Sequence, residues 1–123
     1  MSVIINNQKY SAEYLSTPEE IQRGMMGRDH LDGCMVFNMG KIGHHSFWMK
    51  NCLINLDIVF ILNGRISKIH LNCEPAGRNE MNPKRYSGIG DHVIEFPSGT
   101  CSGMKVGDKV NMYLGSPQNP IKS

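Results

Sequence analysis

The chain has 123 residues, 40% hydrophobic and 20% charged, with 13 Gly and 6 Pro. That size and balance fit one folded domain over residues 1–123 and exclude a multidomain enzyme, a disordered segment, a collagen-like chain and a coiled coil. Thirteen Lys and Arg against eleven Asp and Glu leave a net charge of +2, too small a surplus to hold a phosphate backbone by charge alone.

The N-terminal MSVIINNQKY lacks a basic stretch followed by an apolar core of about 7–15 residues, so no secretory signal is read and a cytoplasmic location is expected. The longest apolar run, Ile58 to Leu62, is far short of the roughly 18 residues that cross a bilayer, so no membrane partner is expected. Cys34, Cys52, Cys73 and Cys101 form no C-x-x-C pair and read as reduced thiols filling the core. Most of the nine Met lie in apolar stretches, as gap-filling core residues or, alternatively, as a Met-rich docking surface.

In chain order, Ser2 to Ile5 and Gln8 to Leu15 flank Asn6-Asn7, which tolerates the left-handed backbone of a tight hairpin turn. Tyr10, Ala12 and Tyr14 share the buried face of the second strand by period two. Thr17, Pro18, Glu19 and Glu20 form a helix start: an N-cap, a proline in the first turn, a capping box and acids at the positive end of the dipole. The helix is predicted to run about ten residues, to a cap at Gly27, with Ile21 and Met25 facing a sheet.

Six further strands are predicted: Cys34 to Met39, Ser46 to Ile54, Asp57 to Leu62, Arg65 to Cys73, His92 to Phe96 and Lys109 to Leu114. Ile58 to Leu62 is apolar on both faces, as in a central strand, and Asn63-Gly64 gives a two-residue hairpin turn into the next strand. Eight strands with one short N-terminal helix predict an α+β, mostly β fold, a small antiparallel barrel-like or sandwich sheet. Glu74 to Gly90, seventeen residues without a period, is predicted to be a long loop of the kind that is either functional or disordered.

The stretch Phe47-Trp48-Met49-Lys50-Asn51-Cys52-Leu53-Ile54-Asn55-Leu56-Asp57-Ile58-Val59-Phe60-Ile61, followed by Asn63-Gly64-Arg65-Ile66, resembles the signature of the domain of unknown function 192 family. Thr17-Pro18-Glu19-Glu20 with Gly24-Met25-Met26-Gly27-Arg28, and Val93-Ile94-Glu95-Phe96 with Gly99 and Gly103 to Asp108, resemble the family's two ends. The likeness spans about residues 10–114. It implies a compact β-rich fold with a short helix and no established activity. Cys52 stands where many members carry Thr, and Asn55 where they usually carry Pro. Many members also carry an export signal that is not seen here.

Alternation on the predicted Ser46–Ile54 strand puts Trp48, Lys50 and Cys52 on one face and Phe47, Met49 and Asn51 on the other. An indole beside an ammonium suits a small anionic or sugar-like ligand, with Asn51 at the rim. The plainer alternative packs Phe47 and Met49 in the core, lays Lys50 over Trp48 and uses Asn51 to tie a turn. Asp57, at the edge of an apolar strand, needs backbone N–H groups or a cation such as Arg28 or Lys50. Glu95 lies between Ile94 and Phe96. If it met Asp57, the two would form an acid–base pair; otherwise it points outward from a half-buried strand.

His30, His44, His45, His70 and His92 are scattered, and no metal site is assigned. No cofactor is assigned either, since the chain lacks a nucleophile elbow, a zinc-protease helix, a phosphate loop and a dinucleotide fingerprint. Arg78, Lys84, Arg85 and Tyr86 form a small basic cluster with one aromatic, a weak nucleic-acid feature set against the low net charge. Arg28, Trp48, Lys50, Asn51, Arg85 and Tyr86 are therefore the candidate binding residues.

The reading favours a non-catalytic binding or assembly module that presents the Trp48 face and the 74–90 loop to a protein partner or a second copy, including an accessory place in a virus particle. The alternatives are a small hydrolase or carbohydrate-active enzyme using Asp57 and Glu95, discriminated by their separation, and a small-ligand-binding protein with a pocket at Trp48.

Overall fold

A computed structural model describes residues 1–77 and 79–115. The elements are β1 (Ser2–Ile5), β2 (Gln8–Leu15), α1 (Pro18–Arg23), β3 (Cys34–Trp48), β4 (Leu56–Leu62), β5 (Arg65–Cys73), β6 (Arg85–Pro97) and β7 (Val110–Tyr113). The strands form one sheet in the order β5-β4-β6-β3-β2-β1-β7. Both predicted hairpin turns are present: Asn6 and Asn7 have φ of 51° and 64°, and Asn63 and Gly64 have 51° and 77°, the paired positive φ of a type I′ turn.

The sheet is an open, curled half-barrel, a correction to the expected barrel or sandwich. One sheet contains every strand, which excludes a sandwich. The edge strands approach at one end only, where Arg65 bridges Lys109 and Ile66 N–H donates to Asp108 O. Two cores result. Val3, Ile5, Val36, Val59, Ile61, Ile66, Ile94, Phe96 and Val110 form one cluster joining residues of both edges, so this face is the inside of the curl. Met25, Leu31, Met35, Phe37, Met49, Ile58, Phe60 and Val93 form the other, beneath α1 and the turn that follows it.

The strand pairs are antiparallel except for one, since β2 and β3 are parallel. A parallel pair needs a crossover connection of about a dozen residues or more, and the stretch containing α1 supplies it. The helix keeps the predicted capping box, with Glu20 N–H donating to Thr17 Oγ1 and Thr17 N–H to Glu20 Oε1. It stops at Arg23 rather than near Gly27. Gly24 turns left-handed at φ 42°, and a Cβ there would sit 3.2 Å from the Phe37 ring. The left-handed turn at Gly24 ends the helix, and the close approach of Phe37 favours glycine there. Met25 is nevertheless buried, and Ile21 packs on the same core.

Strand lengths differ from expectation for local reasons. Cys34–Met39 and the start of Ser46–Ile54 join into one strand, β3, whose register against β6 shifts between Asn38 and Gly43, with Gly40 at φ 82°. β3 ends at Trp48 because Asn51, at φ 62°, turns the chain. β6 begins at Arg85, so the predicted 74–90 loop extends no further than residue 84. The predicted tail begins at Gly115, and its remainder lies outside the described residues. Among the described residues, no helix is long and apolar enough to cross a membrane.

Candidate functional site

A cleft of about 190 Å³ opens where α1 and its following turn cross β3 and β6. Met25, Phe37, Met39, Phe47 and Cys52 make its walls largely apolar, and Arg23, Lys50 and Arg85 bring three cations to it. Trp48 closes one side. The register sets this arrangement, because Trp48 on β3 is directly opposite Arg85 on β6 and neighbours across a strand pair share a face. The Arg85 guanidinium lies 4.5 Å from the indole centroid, and Lys50 Nζ lies 5.3 Å from it. Both distances are within cation–π range. Among the described residues neither cation takes part in an ion pair.

Glu95 also lines the cleft. It is 4% exposed, the reverse of the outward orientation expected from the sequence. Met35 and Ile58 flank it on the neighbouring strands, and its side chain makes no hydrogen bond or ion pair among the described residues. Burial without a partner pushes its carboxyl from the ordinary 4.5 up to about 8, because the charged form is poorly solvated. Near neutral pH it is an uncharged acid that can both donate and accept. Cys52, on the same cleft, is held at about 11 by burial first and by the nearby Glu95 second, so it is a neutral thiol.

Asp57 is the second buried carboxylate, 1% exposed, and it is fully engaged. Its Oδ1 accepts from Asn72 N–H at 2.8 Å, and its Oδ2 from Gly99 N–H and Cys101 N–H, each at 3.0 Å. The bulged Asn72, at φ 52°, aims its N–H at the carboxylate. Of the two alternatives expected for Asp57, backbone donors hold it, and the pairing with Arg28 or Lys50 is not formed. Asp57 is in register with Phe96 while Glu95 is in register with Ile58, which puts the two carboxylates on opposite faces of the sheet. The structure does not bring them together as an acid–base pair.

Of the other candidates, Arg28 forms a bidentate pair with Glu13 at 2.8 and 2.7 Å, away from the cleft. Asn51 is a turn residue whose carbonyl accepts from Gly27 N–H, and it does not line the rim. Tyr86 packs edge-on against His70 and beneath Lys84 Nζ, so it shapes the core. Arg78 lies outside the described residues. The histidines are dispersed: His30 against Asp32, His92 against Asp91, His70 on Ser87 O. No group of three or more metal-ligating side chains occurs among the described residues. All four cysteines are free and buried.

Sequence reasoning placed Trp48, Lys50 and Arg85 among the binding residues and missed Arg23, Met25, Phe37 and Met39 as their company. The inward aim of Glu95 had a signal. Val93-Ile94-Glu95-Phe96 does not alternate in polarity, and a strand buried on both faces reads that way.

The model of the domain of unknown function 192 family (DUF192), described as "Uncharacterized ACR", matches residues 1–112. The chain belongs to this family. The match takes in the first hairpin, which the quoted motifs did not reach. A protein of unknown function from Novosphingobium aromaticivorans is 28% identical with a TM-score of 0.79, covering 90% of this chain and 84% of that one. A protein from Sinorhizobium meliloti described as a "putative transcription regulator" is 26% identical with a TM-score of 0.78, covering 89% of each chain. No curated protein matches. DUF192 is a family of unknown function, and neither relative is described by a ligand, a reaction or a place in a virus particle.

Proposed function

We propose that the chain is a non-catalytic binding module that takes a small anionic ligand in the cleft beside Trp48. The observation that carries this reading is the pair of cations, Lys50 and Arg85, held against one indole ring with no carboxylate partner among the described residues. Trp48 restrains both side chains before a ligand arrives, which lowers the ordering cost of binding. An unpaired cation pair over an apolar cleft is complementary to an organic anion, charge at the mouth and body within. At about 190 Å³ the space is below the roughly 300–1,000 Å³ of drug-sized sites, so the ligand is one ring or a short chain.

The rival readings draw less from the fold. A paired-carboxylate hydrolase needs both acids in one cleft, and Asp57 faces away. The assembly reading, with a protein partner, a second copy or a virus particle, presents the Trp48 face together with the 74–90 loop, and β6 takes the last part of that loop from Arg85 onward. In the part before Arg85 the exposed apolar feature is Met81, at 97%, a single side chain.

The test uses Trp48, the chain's one tryptophan, as the reporter. Cyclohexanecarboxylate titrated into the protein at low salt is expected to change Trp48 fluorescence saturably. Lys50→Ala and Arg85→Ala are each expected to weaken the response about tenfold or more. An unsaturable response, or one that both variants leave unchanged, refutes the anion site.

A further inference from the structure

We infer that the ligand is a hydroxylated organic acid of about one ring, its anion resting on Lys50 and Arg85 and a hydroxyl at its inner end meeting the Glu95 carboxyl. This inference rests on the anion-site reading and deepens it. Glu95 is buried, makes no hydrogen bond or ion pair among the described residues, and lines a cleft whose other polar side chains are Gln22, Arg23, Ser46, Lys50 and Arg85. Its oxygens are not sealed in the core but face the cleft, so a ligand that fills the cleft strips them of water and must pair with them or bind more weakly. The acid is the one charged-type residue on the cleft that is not a cation.

Three ligand chemistries could meet a buried carboxyl, and the surroundings separate them. An ammonium group would have to enter past Arg23, Lys50 and Arg85, all of its own sign. A metal ion would need further ligands, and no cluster of three or more lies among the described residues. A hydroxyl needs neither. It can accept from the protonated acid or donate to its carbonyl oxygen, and it keeps the interior free of charge. An acid without that hydroxyl would leave Glu95 unsatisfied and surrounded by ligand carbon. Specificity at such sites comes from the penalty on the analogue lacking the group.

Glu95 also makes the site responsive to pH. The charged and titratable groups around it are Arg23 from α1, Lys50 and Cys52 from the turn after β3, Arg85 from β6 and Cys73 from β5. β3 and β4 present Met35 and Ile58 in register with it. Burial holds both thiols neutral through the range where Glu95, at about 8, ionises. Ionisation puts a negative charge beside the bound anion, so affinity falls as pH rises from 7 to 9.

The experiment compares cyclohexanecarboxylate with trans-4-hydroxycyclohexanecarboxylate, alike except for the far hydroxyl, by Trp48 fluorescence at pH 6.5 and 9. The hydroxy acid is expected to bind about tenfold more tightly at pH 6.5. Glu95→Gln is expected to keep that preference and lose the pH dependence, and Glu95→Leu to lose both. Circular dichroism identifies a variant that has not folded, in which case wild-type protein alone decides through the two acids and the two pH values. Equal affinity of the two acids for wild-type protein overturns the inference and leaves the anion site standing. Binding of neither acid overturns both. A preference that survives in Glu95→Leu assigns the hydroxyl to another group and also overturns the inference.

Discussion

Asp57 on β4 and Glu95 on β6 lie one register step apart on hydrogen-bonded strands and project from opposite faces of the sheet. Both are buried, yet Asp57 accepts three backbone N–H groups while Glu95 accepts none among the described residues. One carboxylate is spent on the fold, tying β4 to the bulge of β5 and to the turn after β6. The other is a buried polar group held open to a cleft, an arrangement typical of sites that use the group for something other than stability.

Replacing Asp57 with Asn turns an all-acceptor group into one that must present an N–H to a ring of donors. The expected loss is on the order of 2 kcal/mol, read as a lower midpoint in urea unfolding with an unchanged slope. An unaltered midpoint would mean that the backbone cage contributes nothing.

Glu95 makes stability depend on pH in a definite direction. Its folded value, about 8, lies above its ordinary 4.5, so between those limits the native state holds a proton that the unfolded chain has released. Stability is therefore fully present below about 4.5 and declines as pH rises towards 8, by ~1.4 kcal/mol per unit in the limiting case. Glu95→Gln cannot ionise. Its unfolding midpoint should match wild type near pH 4.5 and exceed it at pH 8.5, and parallel profiles for the two proteins would contradict this.

The thiols differ in access. Burial pushes Cys34 and Cys73 up to about 12 and Cys52 to about 11, and it raises Cys101 as well. Thiolate is the reactive form, so all four should resist iodoacetamide at pH 7.5 in the native state. Cys52, 9% exposed and on the cleft, should be labelled first by peptide mapping, and bound cyclohexanecarboxylate should slow that site alone. Faster labelling of Cys34 would refute the assignment.

Ser2 carries a fully buried hydroxyl without a partner among the described residues. Removing it leaves no other group unpaired, so Ser2→Ala should be neutral or stabilising by up to about 1 kcal/mol. A clear loss of thermal stability would show that the hydroxyl is satisfied in solution.

Much of this was legible in local chemistry. Asn6-Asn7, Asn63-Gly64 and the Thr17–Glu20 box each act within a few residues, and each formed as the sequence predicts. What escaped depends on distant partners. Gly24 turns left-handed to end the helix, at a place where the distant Phe37 ring leaves little room for a side chain. Arg85 belongs to a strand because it pairs with Trp48, although its own stretch has no strand period. Asp57 finds its donors in Asn72, Gly99 and Cys101, which no spacing rule assembles. Trp48, Lys50 and Arg85 were identifiable as residue types suited to an anion, but their meeting with Glu95 needs the β3–β6 register.

The most direct measurement of the account is the ¹³C shift of the Glu95 carboxyl followed by NMR against pH, with and without saturating cyclohexanecarboxylate. The account predicts a midpoint near 8 that moves upward when the anion is bound, because the ligand favours the uncharged acid and linkage is reciprocal. A midpoint near 4.5, or one that the anion leaves in place, would contradict it.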